Sequence, residues 1–498
     1  MQLYFIASSG RRRTAIASVL AALCALAAVS CSTNPATGRS SFTGLMTTAD
    51  EVRIGREQNQ QLLEAFGGAY DDPELAAYVT RIGNSLAAKA ERTDLTYTFT
   101  VLNSPIVNAL ALPGGYIYVS RGLLALAGNE AELAGVLGHE IGHVTARHHA
   151  QRQSSQTVAG VASLGVTILG AIAGVPLARG TQMLAGAFLA SYTRDQEYEA
   201  DLLGIRYLNA AGYDPKAMAT FLAKLNAWTN LEETILGRDS KDRLDYLATH
   251  PNTEDRVRQA LAAANLTPAA TAPTIGIDPY LDRIDGMLFG EPIASGVIRG
   301  RKFLHPDMRI RFEVPIDYEL FDSPQAVYAV GPSNSQIVFD SAQVPVGISV
   351  LEYVRQGARK MGISEATATK VKNFEAATAW GWVPTNRGQM DFRIVVIRVD
   401  RDHAYRFRFI LPKGSMSAIL SAVEQTMLSS FATMTAKEAA QIEPQRIRVV
   451  TVAKGDTVES LAKRMDFETL VLQRFQVLNG LTSSGKLKAG TRVKIVTQ

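Results

Sequence analysis

The chain has almost no cysteine. Only Cys24 and Cys31 occur in 498 residues, which excludes a disulfide framework, since such scaffolds carry dense, even sets of cysteines. Charge of one dominant sign is also missing: 51 Lys and Arg stand against 47 Asp and Glu. No basic stripe interleaved with aromatics runs along the chain, so nucleic acid is set aside as a partner. The apolar run from about Thr14 to Val29 falls short of the ~20 residues that a spanning helix needs. Histidine is scarce, with seven in all, yet four of them fall between Val136 and His149. What remains is the balance of a folded protein, 47% hydrophobic and 20% charged, long enough for roughly two to four domains.

The N-terminus reads as an export signal. In "RRRTAIASVLAALCALAAVSC" a basic cluster at Arg11 to Arg13 precedes the apolar run and ends at Cys31, the order that signal peptidases use. "AVSC" resembles a bacterial lipoprotein box, with Ala28 standing where Leu is more frequent. Residues 1–30 are therefore expected to be a lipoprotein signal peptide, and Cys31 the acylated first residue of the mature chain. Cys24 leaves with the signal, so no internal disulfide can form. Ser32 after the cysteine resembles an outer-membrane sorting signal, which implies a periplasmic, lipid-anchored protein.

Further along, composition divides the chain. Residues 31–48 are rich in Ser, Thr, Gly, Pro and Asn and are expected to be a tether. Residues 49–265 carry helical periodicity, interrupted by β-prone "YTFTVLNS" and "NALALPGGYIYVS" with a Gly114-Gly115 turn. A linker is expected over 266–290. An α+β domain with an antiparallel sheet is expected over 291–435, with helices near 348–362 and 415–433; its His305 and His403 are read as lone structural or surface histidines. Residues 446–498 read as strand, helix, helix, strand. The fold expectation is thus multidomain: a mainly α zincin-type domain with a small edge sheet, then an α+β domain, then a βααβ module.

The chemistry concentrates in "VLGHEIGHVTARHH". His139 and His143 lie four apart, on one face of a helix with Cβ atoms ~5–6 Å apart, so both can reach one ion. Glu140 adjoins them, placed to hold a water rather than the metal. A catalytic zinc normally takes three protein ligands. A second helix, "SYTRDQEYEADLLGIRYLNAAGYDP", offers Glu197 as the third and Asp201, four residues on, as the acceptor that orients a ligand imidazole. One zinc ion per chain is the expectation. His148 and His149 fall off the ligand face of the extrapolated helix and are read as surface or helix-end residues.

"HEIGH" followed by "EYEAD" resembles the HExxH zinc metallopeptidase family that contains HtpX and the CAAX prenyl endopeptidases. "NPATGRSSF", "NALALPGGYIYVSRGLL", "QEYEADLLGIRYLNAAGYDP" and "THPNTEDRV" resemble its exported, BepA-like periplasmic and lipoprotein members, over about residues 34 to 260. The resemblance implies His139, His143 and Glu197 as zinc ligands, Glu140 as the catalytic residue and Asp201 as its support. It implies that His250 approaches the metal, takes the water's place and keeps the enzyme latent, and that "NALALPGGYIYV" is an edge strand receiving extended substrate. Arg256 is an oxyanion candidate on proximity to His250, with an ordinary salt bridge preferred. Where HtpX-type members have membrane spans, Ser154 to Val175 holds nine Gly, Ser and Thr in 22 residues, which favours a mobile lid, or a surface that meets membrane or partner, over a span. No helical tetratricopeptide repeat is evident after the protease segment.

The last fifty residues, with "KGDTVESLAKRM" and "LNGL", resemble a LysM module, which implies peptidoglycan as a partner; the bland reading is a module that packs on its neighbour. The middle segment is loosely similar to Mog1/PsbP-like domains. Together these imply a zinc metalloendopeptidase of the cell envelope that degrades misfolded or misassembled envelope proteins, tethered by lipid and by peptidoglycan. The alternative is a lipid-anchored, peptidoglycan-binding scaffold or chaperone with little proteolysis, and a cell-wall hydrolase ranks third.

Overall fold

The computed structural model describes residues 31–498 other than 35, 44–45, 155–191, 237–249, 251–252, 269–271, 323–325, 364, 386–387, 415–418 and 483–486. The signal peptide and all but Ser154 of the expected lid lie outside the described residues. Among the described residues no helix is long and apolar enough to cross a membrane.

The stretch expected as a free tether is docked. Strands β1 (Cys31–Thr33) and β2 (Ser40–Phe42) form an antiparallel hairpin, and Asn34 and Thr43 are buried. Its polar composition suits a linker, but those side chains find partners on the domain that follows, which composition cannot reveal.

Helix α1 (Thr48–Ala65) starts at a capping box in which Thr47 and Asp50 satisfy each other's backbone amides. Helix α2 (Pro73–Ala87) has Asp72 as its cap and Pro at the first turn. Strands β3 (Thr98–Leu102), β4 (Ala109–Leu112) and β5 (Tyr116–Ser120) form a three-stranded sheet in the order β3-β5-β4. β4 pairs with β5 alone among the described residues and so forms an edge. The β4–β5 turn needs its two glycines: Gly114 and Gly115 have φ of 83° and 93°. A Cβ on Gly114 would come within 2.8 Å of the Val52 Cα in α1.

Helix α3 (Arg121–Leu126) leads to α4 (Glu130–Thr145), capped by Asn129 and buried along its entire length. A wholly buried helix is wrapped on all sides, here by α2, the sheet, α5 (Arg194–Ala210) and α6 (Ala217–Leu236). Helix α7 (Thr253–Leu266) packs on α5 and α6. Much of the expected linker is core: α8 (Ile277–Ile284) buries Tyr280, Leu281 and Ile284 among the side chains around α4, and the Tyr280 hydroxyl donates to the Leu124 carbonyl.

The middle region is an antiparallel seven-stranded sheet, running from Thr367–Val371 at one edge to Glu319–Asp322 at the other. Helix Val350–Met361 covers one face through Val350, Val354 and Ala358. Helix Ile419–Ser430 and a four-stranded sheet cover the other, around Phe303, Phe312, Phe339, Phe407 and Phe431.

The C-terminal module pairs Arg446–Thr451 with Arg492–Thr497 around helices Val458–Ala462 and Val471–Leu478. It is not a bead on a string. Ile447, Leu461, Phe475 and Val496 share one continuous core with the residues around α4. Lys494, 1% exposed, reaches through the interface and donates to the carbonyls of Ala125 and Ala127 at 2.5 and 2.6 Å, capping the end of α3.

Candidate active site

Two helices make the site, and small residues set their distance. A Cβ on Gly142 of α4 would stand 2.9 Å from the Ala200 carbonyl of α5, and one on Gly204 of α5 would stand 3.0 Å from the His139 amide. Any larger residue at these positions would push the helices apart. The close approach brings Glu197 and Asp201, one turn apart on α5, against His139 and His143, one turn apart on α4.

The four ring and carboxylate groups of His139, His143, Glu197 and His250 each offer a ligand atom, all within 4.8 Å of one another, and all four residues are buried. His139 Nε2 and His143 Nε2 are 2.9 Å apart, and Glu197 Oε1 is 3.3 Å from His143 Nε2. His250 Nδ1 sits 2.9 Å from Glu197 Oε1 and 3.3 Å from His139 Nε2. These ring nitrogens converge on one another around a single carboxylate. A cation shared among them resolves that crowding, and an imidazole–carboxylate donor set suits zinc.

The groups around this centre are charge-matched. His139 Nδ1 meets Asp201 Oδ1 at 2.8 Å, and Arg256 clamps Asp201 with two contacts of 2.8 Å and Glu197 with one of 2.6 Å. Burial would raise the Glu197 and Asp201 carboxyls. For Glu197, His250 and Arg256 reverse this and hold it well below the usual range, and Arg256 lowers Asp201 likewise. Burial disfavours the charged form of His139, but the Asp201 carboxylate prevails and raises it; in His143 burial wins and keeps the ring neutral, as a ligand must be.

Glu140 is different. It is fully buried, and among the described residues neither of its oxygens has a hydrogen-bond partner and its nearest counter-group is His250 Nε2 at 3.6 Å. Burial pushes its carboxyl up, with His250 and His139 opposing. A buried carboxylate without partners is costly, and such cost is tolerated where the group has chemistry to do.

Three placements differ from the sequence expectation or go beyond it. His148 is fully buried and its Nδ1 lies 2.8 Å from His143 Nδ1. The helical wheel misplaced it because α4 ends first: Arg147 adopts φ 57°, a left-handed turn that swings His148 beneath His143. His149, half-buried, bonds to the Tyr192 hydroxyl, whose ring stacks on His143 at 3.8 Å. Arg256 does form the salt bridge preferred for it, but to site carboxylates. The Gly138, Gly142 and Ala200, Gly204 pairs, each four apart, were the signal in the sequence for the close helix crossing. Away from the site, His305 accepts from the Met308 amide, and His403 lies beside Asp400 and Asp402 on an exposed turn.

Comparison with known proteins agrees with two of the resemblances. Residues 73–264 match Peptidase family M48, and residues 450–496 match the LysM domain. The "Beta-barrel assembly-enhancing protease" of Escherichia coli (strain K12) is 33% identical over 227 residues, 44% of this chain and 45% of the relative. The "Putative beta-barrel assembly-enhancing protease" of Vibrio cholerae is 33% identical over 248 residues, 48% of each chain. The "Mitochondrial metalloendopeptidase OMA1" of Schizosaccharomyces pombe is 28% identical over 215 residues, 42% of this chain and 59% of the relative. The chain spans about half the length of the curated relatives it matches. Among solved structures, the cyanobacterial PsbP of Synechocystis sp. PCC 6803 aligns at 14% identity over 28% of this chain and 94% of its own, with a TM-score of 0.23.

Proposed function

We propose that this chain, with its Peptidase family M48 segment, is a zinc metalloendopeptidase of the bacterial cell envelope that cleaves misfolded or misassembled envelope proteins. The single observation that carries the reading is Glu140, a fully buried carboxylate whose oxygens have no hydrogen-bond partner among the described residues, beside four converging ligand groups. A scaffold that kept only the fold would have no reason to retain it.

His139, His143 and Glu197 would hold the metal, with Asp201 and Arg256 fixing their orientation. Zinc bound by such a set polarises a carbonyl and lowers the pKa of a water to about 7. Glu140 then accepts the proton of the attacking water and returns it to the leaving amine, a role for which its raised carboxyl is suited. β4, paired with another strand on one side only among the described residues, offers backbone amides and carbonyls to an extended chain whatever its side chains, which suits unfolded substrates. His250 stands among the ligands, where it would exclude water until substrate displaces it. If Cys31 is acylated, Asn34, three residues on and buried against the protease domain, holds the site on the order of 10 Å of chain from the bilayer. The LysM segment supports peptidoglycan as a further tether.

The test uses purified mature protein and unfolded casein. The wild type is expected to bind one zinc and cleave; Glu140→Gln should keep the zinc and lose at least 10²-fold in rate; His250→Ala should cleave faster. Equal cleavage by wild type and Glu140→Gln refutes the protease reading.

A further inference from the structure

We infer that Glu199 and His148 form a carboxylate–imidazole pair that fixes the tautomer and orientation of His143, and that the segment after Cys31 holds this pair in place. The inference rests on the reading of His143 as a metal ligand.

Proton bookkeeping runs along the chain of contacts. His143 turns Nε2 toward His139 and Glu197, so a metal would take the Nε2 lone pair and the ring proton must sit on Nδ1. Among the described residues, that Nδ1–H has one acceptor, His148 Nδ1 at 2.8 Å. To accept there, His148 must carry its own proton on Nε2, and Nε2 lies 3.5 Å from Glu199 Oε2, within ion-pair reach though outside hydrogen-bond geometry. Glu199 is the carboxylate that this tautomer calls for. Asp201 does the same for His139 directly; on the His143 side an extra imidazole spans the gap. Such partners fix ring orientation and raise ligand basicity.

Glu199 is itself held from the N-terminal segment. Its Oε1 accepts from Asn34 Nδ2 at 2.8 Å and from Thr37 Oγ1 at 2.6 Å, leaving Oε2 for His148 and, at 3.9 Å, Arg39. Asn34 is fixed in turn: its amide donates to the Arg39 carbonyl and its Oδ1 accepts from the Ala36 amide. The same segment steadies the turn that delivers His148. Arg147, in its left-handed conformation, donates to the Met46 carbonyl at 2.6 Å and pairs with Glu51 at 3.0 Å. Strain in such a residue persists only where its surroundings hold it. Asn34, Thr37, Met46 and Glu51 are in this account part of the metal centre.

The test measures zinc affinity of the full mature chain by chelator competition, together with the melting temperature of the zinc-free protein. His148→Leu should weaken zinc about 10–100-fold with little change in zinc-free melting. His148→Asn, which restores an acceptor near the Nδ1 position, should recover most of that loss. Glu199→Gln and Asn34→Leu should each weaken zinc several-fold. Zinc affinity of His148→Leu within twofold of wild type overturns the inference, as does an Asn variant no better than Leu. Should His148→Leu not fold, Glu199→Gln, equal in size, decides: unchanged affinity again overturns it. A wild type that binds no zinc refutes instead the ligand reading beneath it.

Discussion

At the scale of single residues, buried charge is where this protein commits most. Glu130 opens α4, the ligand helix, and is held by the hydroxyls of Tyr78 and Tyr213, each at 2.7 Å, and by Arg81 at 3.0 Å. Burial would raise its carboxyl, but these donors outweigh it and hold the group below the ordinary range. A depressed folded-state pKa contributes stability above the unfolded value, ~4.3 for Glu, and loses it as pH falls through the folded value. Glu130→Gln should therefore cost about 1 kcal/mol near pH 7, screened in part by solvent. The difference should shrink below about pH 4. Thermal melts of both proteins from pH 3 to 7 check this, and a difference that stays constant to the acid end would assign the effect to packing.

Helix pairing decides whether ligands meet. Gly142 and Gly135 lie on the same buried helix, but only Gly142 faces backbone at close range: an added Cβ would meet the Ala200 carbonyl at 2.9 Å, whereas at Gly135 the nearest atoms, in Met218, are 3.5 Å away. Gly142→Ala must part α4 from α5 by a few tenths of an ångström. It should cost about 1–3 kcal/mol and weaken zinc binding. Gly135→Ala has room, and a gain in helix propensity of up to ~1 kcal/mol should leave it neutral or more stable. Melting temperature and zinc titration on the pair check this; equal behaviour of the two variants would show that the helix spacing is not what Gly142 protects.

For the molecule as a whole, the C-terminal module behaves as a wall of the protease domain. Its core is continuous with that of the protease, and Lys494 is sealed against the carbonyls that end α3. Lys494→Met keeps the stem but strands those carbonyls, and an unsatisfied buried pair costs about 2–4 kcal/mol. The protease and C-terminal regions are expected to melt in one transition, which Lys494→Met lowers. Calorimetry in which the variant's protease transition stays at the wild-type temperature, with a separate early C-terminal melt, would show independent modules.

What the residues alone determined was whatever depends on neighbours in the chain. His139, His143 and Glu197, Asp201 share faces by the period of a helix, the Gly114-Gly115 turn follows from backbone freedom, and the capped helices and the βααβ rhythm of the C-terminal module are local patterns. Tertiary structure decided the rest. His148 joins the site because Arg147 leaves the helix, which the wheel cannot register. The stretch after Cys31 and the one before Leu288 read as linkers from composition, yet both are built in, because hydrogen bonds of Asn34 and Thr37 to Glu199 and the burial of Tyr280 span more than 150 residues of sequence. Contacts of that range are fixed only when the packed cores meet, so they leave no period or spacing in the chain to read.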